Sequence, residues 1–397
     1  MIHPINPLIK DTIPSPISEA YSWLGNTIIP RHLELMNLSQ AAPNDPPPLD
    51  IRQAIADASI NMASAHLYGP VLGNDDLRSA LGKKWTDLYS GKVDPSNVGI
   101  TSGCNQAFCS IIATIAGPGD NIIVPSPWYF NHKMWLDMSG INTRILPLDD
   151  EMFPVVDALE EVVDKRTKAV VLVTPNNPTG VEYPTELLSE FYDIAKRKSL
   201  LLIIDETYRD FHSRNNPVHD LFREDKWEEN LVSLYSFSKA YRLTGHRVGA
   251  VITSKRRLCQ IEKFLDSVTI CPNQLGQVAA LHGLHNSASW LVNERIEILS
   301  RQKEIKKGFK TLENWQLKGC GAYFAYVEPP FDIPSVEFCQ ELLAKQAILA
   351  LPEAMFTPQD LTRKKKHLRI AFANINRSQI IELFERLKKL QDEMSNL

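Results

Sequence analysis

Between residues 97 and 238 the chain repeats one pattern, a run of four to eight apolar or β-branched residues closed by a polar residue or a Gly/Pro break. The runs are NVGITSG at 97–103, DNIIVPSP at 120–127, TRILPL at 143–148, KAVVLVTP at 168–175, LLLIIDE at 200–206 and LVSLYSFS at 231–238. Segments of helical spacing precede them, IRQAIADASINMA at 51–63 and DDLRSALGKKWTDLYSG at 75–91. Others, such as PTELLSEFYDIAKRKS at 184–199, lie between them. Strands apolar on both faces must be covered on both, so the alternation predicts an α/β fold with a mostly parallel sheet between layers of helices.

From about residue 285 the character changes to a long charged amphipathic stretch, then AYFAYVEP, a helix at 335–346, LRIAFAN at 368–374 and a last helix at 378–394. This is α+β material and predicts a second, smaller domain, in keeping with 397 residues. Nine of the 26 prolines fall in the first 48 residues, which reads as an extended arm. The 43 Lys+Arg against 47 Asp+Glu leave a net charge of −4, so no pull toward nucleic acid or anionic membrane is expected. Six scattered cysteines without C-x-x-C, no secretory signal pattern and no apolar run of membrane-spanning length give a cytoplasmic expectation. No metal is implied.

In open parallel sheets ligands bind beyond the carboxyl ends of the strands, so the residues just after each run are where chemistry is sought. Lys239 follows LVSLYSFS among small hydroxyl residues. Asp205 closes LLLIID, where a buried carboxylate needs a cationic or hydrogen-bonding partner. KAVVLVTP runs into N-N-P-T-G at 176–180, a turn string presenting the Asn177 amide. T-S-G-C-N-Q-A at 101–107 passes through Gly103 into a helix start, which offers backbone N–H groups to an anion. Each has an ordinary reading alone: a solvated lysine, a helix cap or ion pair, a loop, a turn.

Taken together and in order, these strings resemble the class I/II aminotransferases among the fold-type I pyridoxal 5′-phosphate (PLP) enzymes. The ordered set is Tyr68-Gly69, Gly103, Tyr129, N-N-P-T-G, D-E-T-Y at 205–208, S-F-S-K at 236–239, Arg247 and R-I-A-F at 369–372. The resemblance implies a seven-stranded, mostly parallel sheet in a large domain at 50–285. It also implies a small domain built from 1–49 with 286–397. It further implies that Lys239 forms the Schiff base with PLP and shuttles the proton, and that Asp205 pairs with the pyridinium nitrogen. Asn177 and Tyr208 would bond the phenolic oxygen, and Tyr129, or Trp128 if the register slips by one, would stack on the ring. The phosphate would lie on Gly103, Cys104, Asn105, Ser236, Ser238 and Arg247, with Tyr68 reaching it from the partner subunit of a homodimer with shared active sites. Arg369 matches the position that binds the substrate α-carboxylate.

The chain departs from the family in places. L-S-Q-A-A-P at 38–43 carries Ala41 where the family usually has a glycine beside the substrate, and Cys104 and Asn105 replace residues more often small or hydroxylated. Dicarboxylate-specific members use a second arginine, yet 264–273 holds none, and Asp266 lies near the equivalent position. Asp266 is therefore either a surface residue or a partner for a cationic donor. Tyr21 and Trp23 either gate the entrance or anchor the arm, and Tyr323 either lines the pocket or packs in the core. The basic run at 363–366 reads as a solvated loop. The expected activity is transfer of an amino group from an L-amino acid, not specifically aspartate, to a 2-oxo acid by a ping-pong cycle. The alternatives are a PLP-dependent C–S β-lyase or an aminocyclopropane-carboxylate-synthase-like lyase on the same fold. A PLP-fold sensing module of a transcription regulator ranks below these, since no helix-turn-helix candidate precedes the enzyme-like region.

Overall fold

The computed structural model describes residues 3–215, 217–358 and 366–395. Its main sheet has seven strands: β1 Val98–Thr101, β2 Asn121–Pro125, β3 Asn142–Leu146, β4 Thr167–Val173, β5 Leu201–Asp205, β6 Leu231–Ser236 and β7 Gly249–Ile252. They lie in the order β1-β7-β6-β5-β4-β2-β3. Only β7 runs antiparallel to its neighbours, β1 and β6. This four-residue strand is absent from the sequence-based expectations.

Successive side chains of a strand point to opposite faces, and both faces are covered. Leu202 and Ile204 of β5 join a core with the helices α2 (Leu49–Asn61), α3 (Asp75–Tyr89), α6 (Thr185–Arg197) and α8 (Gln274–Asn286). Leu201 and Ile203 face the other way, toward α4 (Cys104–Ile115), α5 (Phe130–Met138) and α7 (Lys255–Val268). On α6 the buried residues include Leu188, Phe191, Tyr192 and Ala195, the spacing of a single helical stripe.

A third core gathers both ends of the chain. Four antiparallel strands, β8 Gln316–Gly321, β9 Phe324–Glu328, β10 Leu351–Pro352 and β11 Leu368–Ile370, lie in the order β10-β11-β9-β8. They pack with α9 (Ala288–Phe309), α10 (Ser335–Gln346), α11 (Arg377–Ser395) and the N-terminal helix α1 (Pro16–Asn26). The two-residue strand Met36–Asn37 pairs in parallel with Ile348–Leu349. The arm is thus not extended: Pro7 and Pro16 sit in the first turn of helices Pro7–Asp11 and α1, where a fixed φ suits the helix and the missing N–H costs nothing. Of the basic run, residues 363–365 lie outside the described residues, and Lys366 pairs with Asp332 at 2.7 Å. Among the described residues no helix is long and apolar enough to cross a membrane.

Candidate active site

The carboxyl ends of β1, β2, β4, β5 and β6 lie at one edge of the sheet, and a cavity of about 500 Å³ opens there. Each strand hands over a lining residue: Cys104 and Asn105 after β1, Tyr129 after β2, Val173 and Asn177 from β4, Asp205 from β5, and Ser236, Ser238 and Lys239 from β6. Arg247 enters just before β7, and Arg369 comes from β11 of the other sheet. Twelve sequence-selected positions therefore share one cavity once Tyr208 and Ala41 are included.

Lys239 donates from Nζ to the Ala41 carbonyl. Desolvation, then the guanidinium charges of Arg247 and Arg369, bring its ammonium down to about 8. Asp205 is buried; its Oδ1 accepts from the Thr207 amide at 3.0 Å and the Cys104 thiol at 3.6 Å, and His132 Nε2 lies 3.3 Å from Oδ2. The Cys104 thiol is pushed far up by burial and then by Asp205, so it stays protonated as a donor. Arg369 is buried among Phe324 and Phe356, each ring centroid 5.0 Å from its guanidinium carbon. It donates to Asn177 Oδ1 at 2.8 Å and to the Ser39 carbonyl, while among the described residues its buried Nε has no partner. Burial lowers this guanidinium to about 10.

Two glycines are set by close approach. Gly103 has φ +85°, and a Cβ there would meet Arg247 Nη2 at 2.2 Å; its hydrogen is what lets the guanidinium lie across the start of α4. Arg247 Nη1 in turn donates to Ser238 Oγ at 3.4 Å and the Thr244 carbonyl at 3.1 Å. Gly180, at φ +77°, brings the N-N-P-T-G turn against the β8–β9 hairpin, where a Cβ would meet Gly321 N at 2.6 Å. That contact holds Asn177 near β11, and so near Arg369.

A family model for class I and II aminotransferases matches residues 34–387. The chain belongs to that family. Aromatic aminotransferase ISS1 of Arabidopsis thaliana is 31% identical over 274 residues, 66% of this aminotransferase and 67% of that protein. The aspartate aminotransferase of Thermotoga maritima is 26% identical over 376 residues, 93% and 94% of the two chains. Among solved structures, an aspartate aminotransferase of Thermus thermophilus with maleate superposes with a TM-score of 0.88 at 21% identity. It covers 98% of this chain and 100% of that one. The chain is accordingly a PLP-dependent aminotransferase of fold type I, and the lyase alternatives are not favoured.

Some selected residues of the aminotransferase lie elsewhere. Tyr68 is 81% exposed and is not part of the cavity wall. Asp266 is exposed on α7, outside this chain's cavity. Trp23 is buried in the third core and Tyr21 Oη accepts from Asn37 Nδ2 at 2.9 Å, so these aromatics anchor the arm. Tyr323 is core, packed 5.3 Å from the Tyr208 ring. Trp128 is buried behind the cavity and Tyr129 lines it, its hydroxyl donating to Asn105 Oδ1 at 3.3 Å. Sequence reading missed His132, stacked 3.8 Å from Phe108 and aimed at Asp205, and the lining residues Ile17, Gln40, Phe130 and Asn131. His132 lies in the first turn of α5, after the N-cap Tyr129, and no sequence signal ties it to Asp205. Among the described residues no group of three or more His, Cys, Asp or Glu could hold a metal ion.

Proposed function

We propose that the 500 Å³ cavity holds PLP and that this enzyme moves the amino group of an L-amino acid other than aspartate to a 2-oxo acid by a ping-pong cycle. The observation that carries the reading is the meeting in one cavity of an amine lowered to about 8, a buried carboxylate and a buried guanidinium with an orphaned Nε. A buried donor without an acceptor is costly, and a ligand carboxylate would satisfy it. These groups fit the cofactor. Lys239 would hold it covalently, Asp205 would face its ring nitrogen, and Asn177 with Tyr208 its phenolic oxygen. Tyr129 would cover the ring. The phosphate would be held by Gly103, Cys104, Asn105, Ser236, Ser238 and Arg247. PLP supplies an electron sink for the electron pair left at the substrate Cα.

The chain's own residues do the rest. Arg369 fixes the substrate α-carboxylate by a two-pronged contact, which sets the direction of the Cα–H bond. Lys239 Nζ, whose lowering to about 8 leaves about a tenth of it uncharged at pH 7, takes the Cα proton and returns it. Asp205, oriented by the Thr207 amide and the Cys104 thiol, would pair with the ring nitrogen. Ala41 belongs to the substrate wall, and 264–273, the stretch from which dicarboxylate-specific members supply a second arginine to the partner subunit's site, holds none. That supports a donor without a second carboxylate.

The same reading makes the enzyme a cytoplasmic homodimer, with Tyr68 reaching the partner's phosphate site. Exposed Ile60, Met62, Leu67, Tyr68, Val268 and Ile270 support an apolar contact face, and Gly69 N donating to Cys271 Sγ at 3.4 Å joins its two segments. The separate cores support a division into 50–285 and 1–49 with 286–397. The test is a panel of amino acids, with aspartate, lysine, tyrosine and methionine among them, scanned for amino transfer to 2-oxo acids. Transfer from neutral donors with little from aspartate is expected; a strong aspartate preference, or release of pyruvate and ammonia, would overturn it.

A further inference from the structure

Asp205 and Tyr208 face the cavity, but the residues that follow each of them, Glu206 and Arg209, are buried and point away from it. Behind the sheet edge they enter a network that the proton-transfer chemistry does not use. The Glu206 carboxylate accepts from the Tyr89 hydroxyl and from Ser233 Oγ at 2.5 Å, and lies 3.6 Å from both His219 Nε2 and Arg209 Nε. Arg209 Nε donates to Tyr89 Oη at 3.0 Å, and its guanidinium carbon sits 4.9 Å from the Trp85 ring and 5.0 Å from the Tyr89 ring. Asp210 accepts from Tyr235 Oη at 2.7 Å, with Lys84 Nζ 3.7 Å away.

Burying such a set costs several kcal/mol per ion before pairing, and well-packed apolar residues commonly serve stability as well or better. What the network achieves is placement. Backbone bonds tie the segment on one side, Thr174 N to the Asp205 carbonyl at 3.0 Å, Glu206 N to the Leu234 carbonyl at 2.9 Å and Arg209 N to the Glu206 carbonyl at 3.0 Å. The side chains of Glu206 and Arg209 tie it to α3 and β6 on the other. Asp205 and Tyr208 thereby stand on a turn whose every alternate anchor lies outside the cavity. Burial would raise the Glu206 carboxyl, yet His219, Arg209 and the Ser233 bond outweigh it and hold it at about 2, so the anchor is anionic.

We propose that Glu206 is a positioning residue for the transamination. Clamped by Tyr89, Ser233 and Arg209, it fixes the 205–208 turn from behind so that the Asp205 carboxylate and the Tyr208 hydroxyl keep the spacing the cofactor requires. The inference rests on the cavity being the PLP site. Holoenzyme variants Glu206→Gln and Tyr89→Phe test it, each scored for melting temperature, cofactor affinity, kcat and KM with a neutral amino donor, and the pH titration of the cofactor's visible absorbance.

A loss of about ten- to hundredfold in kcat with KM changed less than about threefold, together with a displaced absorbance titration, is expected. Double replacement should cost less than the product of the two single losses, because both act through one contact. A lowered melting temperature with kcat and the absorbance titration unchanged would reduce the network to a structural one and overturn the proposal. Should Glu206→Gln not fold, Tyr89→Phe decides between the same two outcomes. Failure of the underlying reading looks different: wild-type protein would carry no visible absorbance and Lys239→Ala would change nothing.

Discussion

A lysine side chain is useful as a base only when it can lose its proton near working pH, and at Lys239 this is achieved by desolvation and two neighbouring arginines. In cofactor-free protein its amine should react with a small acylating reagent with a midpoint near pH 8 rather than the 10.5 of an ordinary lysine, as read by peptide mass mapping. A midpoint above 10 would remove the assigned base. The sign follows from the neighbours: they disfavour the charged form, so reactivity rises as pH rises through about 8. At Arg369 the guanidinium geometry should matter beyond its charge, and Arg369→Lys is expected to raise KM for the amino donor by about ten- to hundredfold, the worth of one or two charge-assisted hydrogen bonds. Steady-state kinetics checks it. Residues carried by strand ends were legible in the sequence because an abrupt polar residue after an apolar run stands out, as Asp205 and Lys239 do. His132 was not, because a lone histidine inside a helix carries no mark of the carboxylate it faces across the fold.

Elements set by turn chemistry were less legible than the strands they join. The central strands are apolar on both faces and cannot be mistaken, whereas β7 has four residues and the arm's prolines read as a break until the fold puts them in the first turn of a helix. Gly103 shows how an element terminus is fixed by a neighbour: Gly103→Ala would combine a left-handed φ with a Cβ 2.2 Å from Arg247 Nη2. It should destabilise the protein by about 1–3 kcal/mol and weaken cofactor retention more than donor binding, measured by denaturant unfolding and by dialysis of the holoenzyme. The arm is held by buried aromatic area. Trp23→Ala should cost about 3–5 kcal/mol if α1 is an integral part of the third core, and near zero if it is a loosely laid gate.

At the scale of the whole molecule, the proposed homodimer would cover the exposed apolar face around Ile60 and Tyr68. Mixing Lys239→Ala with Tyr68→Ala protein, each with little activity alone, should restore activity above the sum of the two. Of the two sites in a hybrid dimer, one then holds both native residues. Sedimentation would report the dimer itself, and failure of the mixture to gain activity would place Tyr68 outside the partner's site. The resemblance names Tyr68 but not the rest of the proposed contact face, because the segments around Tyr68 and Ile270 are brought together only by folding.

The cavity wall is also a matter of chain order. Its contributors run from Ile17 to Arg369, and Arg369 holds the Ser39 carbonyl while Ala371 N donates to the Leu38 carbonyl at 3.0 Å. During synthesis, which proceeds from the N-terminus with domains folding as units, the seven-stranded sheet is complete soon after Ile252 leaves the ribosome. The strand bearing Arg369 follows more than a hundred residues later. The lysine, the aspartate and the anion-binding turn are therefore synthesised well before the arginine of the carboxylate clamp. A chain stalled in between should capture the cofactor before it can select an amino acid.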